Sequence, residues 1–268
     1  MTSTGISNNH TDKTQLKENN MEITDNLKYR FRGPRALYGE EAVNKFAHSH
    51  VCIAGTGGVG SWAIESLVRT GVGHITIIDK DTIDESNTNR QLHTMQSTLG
   101  EYKAEAMKSR MKDINPDVQI DVITKLLTID NIPDIISNVN ADIYIDAIDD
   151  LSAKAAYIHH IHRIMKKTVI VAGGAGGKTN PLLVTKGDLS ETKGDKLLAR
   201  LRAKFRKEYG YPQAGTKMKL TAVYSTEQGK LAKDVNDADD VPVFGAAMCV
   251  TAVVGLNIAA LVLEKLRG

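Results

Sequence analysis

"HVCIAGTGGVGSWAIESLVRTGVGHITIID", residues 50–79, decides the fold. Its apolar start reads as a buried strand, its glycines as a tight turn, its middle as a helix closed by Gly71 and Gly73, and "HITIID" as a second strand. Gly55, Gly57, Gly58 and Gly60 satisfy G-x-G-x-x-G where strand passes into helix, and Asp79 follows Gly60 by nineteen residues. Glycines let backbone approach a pyrophosphate, a helix amino end offers unpaired N–H groups, and the later carboxylate takes a ribose hydroxyl. The stretch predicts a βαβ unit that binds a nucleotide.

The same alternation continues in both directions. "GEEAVNKFAHS" (39–49) reads as a short helix before the first strand, and "LGEYKAEAMKSRMKDINP" (99–116) as a helix ended by Asn115-Pro116. "VQIDVIT" (118–124) is a strand, residues 129–139 a helix, "DIYIDAID" (142–149) a strand, "SAKAAYIHHIHRIMKK" (152–167) a helix and "TVIVAG" (168–173) a strand. The class is α/β: a doubly wound, mostly parallel Rossmann-like sheet with helices on both faces and a smaller C-terminal extension. Residues 1–25, polar and without apolar periodicity, are expected to form a disordered tail. Residues 26–180 form the nucleotide-binding domain and 181–268 the extension, which carries one further strand, "KLTAVYST" (219–226), within one continuous unit.

A second glycine loop, "AGGAGGKT" (172–179), lacks the first glycine of G-x-x-x-x-G-K-[ST], because Ala172 stands there. Asn180-Pro181 follows where a P-loop would open a long helix. Lys178 is therefore not expected to act as a P-loop lysine.

Composition narrows the function. With 41% hydrophobic and 25% charged residues and a net charge of +2, the chain is an ordinary globular protein whose nucleic-acid contacts must come from local clustering. Two cysteines, Cys52 and Cys249, cannot build a four-thiolate zinc site and fit a reducing, cytoplasmic setting; Cys249 is expected as a packed core cysteine. Residues 241–263 carry no charge, but Pro242, Gly245, Gly255 and Asn257 favour a buried helix over a membrane span.

"DKDTIDESNTNRQLH" (79–93) brings Asp81, Asn87, Arg90 and Gln91 behind the ribose position, Lys103 opens the next helix, and Asp149-Asp150 close a later strand. Two cations and an acid pair suit attack at the α-phosphate of ATP, where Arg, Lys and Mg2+ stabilise developing charge, better than hydride transfer. Each has a plainer use: Arg90 as a solvated cation, Lys103 as a helix-surface charge, Asp149 as a helix N-cap.

These residues resemble the ubiquitin-activating-enzyme superfamily of adenylating enzymes, on the matches Gly55, Gly57, Gly58, Gly60, Asp79, Asp81, Ser86, Asn87, Arg90, Gln91, Lys103 and Asp149. "RFRGPRALYGEEA", "SNTNRQ", "IDAIDD", "GGAGGKTNP", "VYSTE" and "FGAAM" are similar to the tRNA threonylcarbamoyladenosine dehydratase branch. The resemblance implies ATP and Mg2+ as cofactors: the glycines under the phosphates, Asp79 on ribose, Arg90 and Lys103 on phosphate and in catalysis, and Asp149 catalytic as the metal ligand. It implies a homodimer that lends an amino-terminal arginine, Arg30 or Arg35, and no membrane. It also implies a substrate tRNA whose threonyl carboxylate is adenylated and then cyclised by its own carbamoyl group, with sulfur-transfer proteins as further candidate partners. The alternatives are an adenylyltransferase for a ubiquitin-like sulfur carrier, which the missing CxxC pairs disfavour, and a non-catalytic ATP-binding scaffold.

Between Lys193 and Lys219 stand nine Lys or Arg against two acids. If "GDKLLARLRAKFRKEYG" (194–210) is a helix, Leu197, Leu198, Leu201 and Phe205 form its buried stripe, and Arg200, Lys204 and Lys207 share a neighbouring one. Given the branch, Arg200, Lys204 and Lys207 are the expected tRNA contacts.

Overall fold

The computed structural model describes residues 25–231 and 245–268; residues 1–24 of the expected disordered tail and most of the loop before "FGAAM" lie outside the described residues, while Asp25, expected in that tail, opens a helix. Helices α1 (Asp25–Arg30), α2 (Arg32–Tyr38) and α3 (Glu40–His48) lead into β1 (His50–Ala54), α4 (Gly60–Thr70) and β2 (His74–Ile78). Then come α5 (Lys103–Ile114), β3 (Gln119–Ile123), α6 (Ile132–Ser137), β4 (Ile143–Asp146), α7 (Leu151–His159) and β5 (Thr168–Ala172). The chain continues with β6 (Val184–Asp188), α8 (Lys196–Glu208), β7 (Thr221–Ser225) and α9 (Met248–Arg267).

The strands form one sheet in the order β3-β2-β1-β4-β5-β7-β6. All neighbours are parallel except β6, which runs antiparallel to β7. From β1 the chain winds outward through β2 to β3, then returns to β4 on the other side. Loops after β1 and β4 therefore diverge to opposite faces and leave a crevice at their carboxyl ends.

Alternation along the strands fills two cores. Val51 and Ile53 of β1 face the layer of α3, α4, α5 and α9, whereas Cys52 and Ala54 face that of α6, α7 and α8. Helix α9 is long and apolar enough to cross a membrane, yet 56% of its apolar window is buried within the protein. Its Gly255 allows close approach to α4: a Cβ there would meet Val59 O at 2.4 Å and Trp62 Cβ at 3.0 Å.

Three local details differ from the sequence reading. Strand β6 was not expected, because "VTKGD" carries a lysine and a glycine and shows little burial at a sheet edge. The helix expected over 129–139 shortens to Ile132–Ser137. Helix α7 ends at His159 and passes into a π-helical turn, His160–Ile164.

Candidate active site

The turn between β1 and α4 is built by close approach. Gly55 has φ +92°, and a Cβ there would lie 2.5 Å from Ala147 O; a Cβ on Gly60 would meet Gly55 O at 1.9 Å. Gly58 backs onto Arg90 and Thr251, with a Cβ at 3.1 Å from Arg90 Cγ. Gly57 faces open space, its nearest such contact being Gln91 Nε2 at 3.9 Å. The loop is thus held on three glycines and clear at the fourth.

Asp79, at the end of β2, organises this loop from below. Its Oδ2 accepts hydrogen bonds from Thr56 N and Thr56 Oγ1, both at 2.7 Å, and its Oδ1 accepts from Asp81 N at 2.9 Å. His93 completes the clamp, its Nε2 lying 2.8 Å from Thr56 O. That carbonyl can only accept, so Nε2 carries the proton. Burial lowers the His93 pKa, and Nδ1 is left as a buried acceptor without a partner. Sequence reasoning missed Thr56 and His93, although both lie inside the motifs it used.

The cations behind the loop are tethered. Lys103, 7% exposed, donates to Asp81 Oδ2 at 3.0 Å, and Lys80 donates to Asp81 Oδ1 at 2.7 Å. Partial burial pushes the Asp81 pKa up, but the hydrogen bonds from Lys80 and Lys103 outweigh it and hold the carboxyl below its usual range. Asp81 therefore aims the two lysines. Arg90 Nη1 donates to Ser86 O at 3.0 Å and to Asn89 Oδ1 at 2.8 Å, leaving Nε and Nη2 free among the described residues. Gln91 is buried with its Oε1 unpartnered. Asn87 is taken up locally: its Oδ1 accepts from Asp84 N at 3.3 Å, closing the turn Glu85–Asn87.

At the end of β4 the two acids divide their work. Asp150 caps α7, its Oδ1 accepting from Ser152 N at 2.9 Å and Ala153 N at 2.8 Å. That is the N-cap use weighed for Asp149, which is exposed and makes no hydrogen bond or ion pair among the described residues. Its charge still reaches the cluster, since Asp79 and Asp149 both help raise the Lys80 pKa, behind the larger effect of the Asp81 hydrogen bond. A free carboxylate of this kind suits a hard divalent cation such as Mg2+.

The other expectations separate. Lys178 is 4% exposed and pairs with Asp195 Oδ2 at 3.0 Å and Ser225 O at 3.2 Å. It therefore braces the second glycine loop from inside. In α8, Leu198, Leu201 and Phe205 are buried, Leu197 only partly. Arg200 and Lys207 are exposed and without partners among the described residues, whereas Lys204 pairs with Glu208 at 2.6 Å. Arg30 donates to Ile114 O at 2.7 Å, and Arg35 is paired to Glu40. The expectation for Cys249 needs correcting: it is exposed, not packed. The buried face of α9 runs through Val250, Thr251, Val254, Gly255, Ile258 and Val262, and position 249 lies off that face in the first turn.

A glycine-rich turn after β1, a clamped aspartate after β2 and a free acid after β4 make up a family pattern, and the ThiF family model matches residues 32–268. The chain belongs to the ThiF family. It is 38% identical over 258 residues to the tRNA threonylcarbamoyladenosine dehydratase of Escherichia coli, covering 91% of this chain and 96% of that protein. The Haemophilus influenzae protein of the same name is 38% identical over 256 residues, covering 92% and 96%. The crystal structure of the E. coli enzyme in complex with ATP superposes with a TM-score of 0.82 at 39% identity, covering 91% of this chain and 96% of that one. As a ThiF-family member the chain has an adenylating enzyme's crevice, with the sheet order and loops described above.

Proposed function

We propose that the chain is an ATP-dependent dehydratase that acts on threonylcarbamoyladenosine in tRNA. One observation carries this reading: the likeness to tRNA threonylcarbamoyladenosine dehydratases extends over nearly the whole of both chains.

The substrate's threonyl carboxylate is a poor electrophile. Its attack on the α-phosphorus of ATP forms an acyl-adenylate and releases pyrophosphate. The substrate's own carbamoyl group then attacks the activated carbonyl carbon, a proton is lost and AMP leaves, so that water is lost overall. Nucleophile and electrophile share one molecule, so proximity supplies much of the acceleration and no enzyme cysteine is required. The exposed Cys249 and the buried Cys52, whose thiol burial pushes up to about 12, stay outside this scheme.

The chain's residues divide the work. The open backbone at Gly57 and the amino end of α4 receive phosphates. Asp79, fixed by Thr56, stands for the ribose. Lys103 and the free nitrogens of Arg90 stabilise charge on the phosphates, where a preorganised donor is most effective. Asp149 would hold Mg2+, which when bound neutralises charge on the phosphates. Arg200 and Lys207 offer contacts for tRNA phosphates. The homodimer and the cytoplasmic setting belong to the same proposal, the latter supported by two free cysteines.

The test is AMP release from ATP with tRNA carrying the modification, with unmodified tRNA, and with carrier proteins ending in Gly-Gly. Release at least about tenfold faster with the modified tRNA is expected. Equal release with unmodified tRNA, or release only with a carrier protein, would overturn the assignment.

A further inference from the structure

Beneath the free Asp149 lies a pair of charges that the proposed chemistry does not use. Asp146, the last residue of β4, is wholly buried, and Lys154 of α7 is equally so. Lys154 Nζ lies 2.6 Å from Asp146 Oδ2, a fully buried ion pair. Lys154 Nζ also donates to Ile148 O at 3.0 Å, while Asp146 Oδ1 accepts from Ile148 N at 3.3 Å. The pair thus grips both polar groups of Ile148, the residue before Asp149.

Two neighbours give this grip its direction. Ala147 is the backbone against which Gly55 is pressed, so the segment between Asp146 and Asp149 also abuts the phosphate-binding turn. Asp150, just beyond, is fixed as the cap of α7, and Lys154 N donates to Asp150 O at 2.9 Å. Asp149 is therefore the one side chain left free on a segment pinned before and after it. A buried ion pair loses its hydration and is no economical source of stability, since apolar residues of similar volume often serve as well. Its use here is better sought in the position it imposes.

We infer that Asp146 and Lys154 are positioning residues that aim the Asp149 carboxylate at the metal of a bound nucleotide. The inference rests on the proposed role of Asp149. The pair touches neither nucleotide nor metal. It sets the direction of the peptide that carries the ligand, as outer residues commonly do around metal sites.

The measurement is ATP affinity with excess Mg2+ and with EDTA, using a fluorescent ATP analogue. The ratio of the two is the gain due to metal. Asp149→Asn should abolish the gain. Asp146→Asn keeps an acceptor for Ile148 N, and because burial raises the Asp146 pKa to about 6, a neutral group there is compatible with the fold. That variant should lose the gain about threefold, and Asp146→Asn with Lys154→Met about tenfold, with metal-free affinity unchanged. Circular dichroism and thermal midpoints check that each is folded. A full gain in Asp146→Asn, or metal-free affinity falling in step with the gain, would overturn the positioning role while leaving Asp149 in place. A full gain in Asp149→Asn would instead remove Asp149 as the ligand, and the inference with it.

Discussion

The two glycine loops of this protein look alike in sequence and are opposite in construction. After β1, the glycines at 55 and 60 are consumed by backbone contacts, Gly57 is left facing open space, and the charged groups stand around the loop. After β5, Gly173 is closed off by Asp195, whose Oδ2 would lie 2.6 Å from a Cβ there, and Lys178 is drawn inward to the same carboxylate. Asp195 Oδ1 in turn accepts from Leu198 N at 2.9 Å and caps α8. One loop presents its backbone to a ligand, and the other anchors a basic helix. Whether a lysine beside glycines binds phosphate is decided by whether its ammonium already has a buried partner.

The largest effect should come from the open loop's surroundings. Asp149→Asn and Lys103→Ala should each lower kcat by at least about a hundredfold with the fold intact, because each removes a charge placed where phosphate charge develops. Wild-type turnover in either variant at saturating ATP and Mg2+ would remove that residue from the site. At the closed loop the effect should appear in stability. Lys178→Met leaves Asp195 buried and unpaired, a loss of about 3–5 kcal/mol by chemical denaturation, while ATP affinity stays within about threefold. A collapse of ATP affinity with unchanged stability would reverse the ranking of the two loops.

A smaller effect tests what the closed loop supports. Because Lys204 is paired with Glu208 and feels the charge of Asp150, the cleaner probe is Arg200→Glu with Lys207→Glu. Affinity for tRNA should fall and the slope of log K against log salt should flatten by about 2, with ATP affinity constant. An unchanged slope would return α8 to the role of a solvated face.

Smaller still is a pH effect. The folded pKa of Asp146 is about 6, above the ordinary 3.8, so the folded state holds a proton that the unfolded chain has released between these values. Its contribution therefore makes the protein more stable as pH falls through about 6, levelling off below the unfolded value. Five histidines held below their usual pKa contribute the opposite slope in both proteins, so the test is the difference: between pH 7 and 5 the stability of the wild type should gain on that of Asp146→Asn, and a difference that does not change with pH would exclude this contribution. The smallest change is expected for Cys249→Ser, whose exposed position predicts a stability within about 0.5 kcal/mol of wild type and unaltered turnover.

Much of this comparison was legible in the sequence. Strand, turn and helix around residues 50–79 have strong periodicities, and the proline after "GGKTN" argues against a P-loop from sequence alone. What stayed hidden were differences between neighbours: Asp149 from Asp150, Cys249 from Val250, Lys204 from Arg200. Composition treats such pairs alike, and they part only through packing, one position facing a helix end or a core and the next facing water. Lys154 gave a signal that went unread, a lone charge in the apolar run "AKAAYI" following "DAIDD". The edge strand β6 gave almost none, since a half-exposed strand with Lys186 and Gly187 has no alternation to detect.

Helix α9 closes the wall behind the phosphate-binding turn, with Thr251 Cβ 3.3 Å from where a Cβ on Gly58 would stand. It also lies far along the chain from the turn it supports. A nascent chain can pair β1 with β2 as soon as both are made, but α4 keeps an uncovered face until the 20-residue α9 follows. The order of synthesis therefore delays a supported phosphate-binding turn until α9 has been made, and a chain cut short within α9 would have the sheet's strands but an unsupported nucleotide turn.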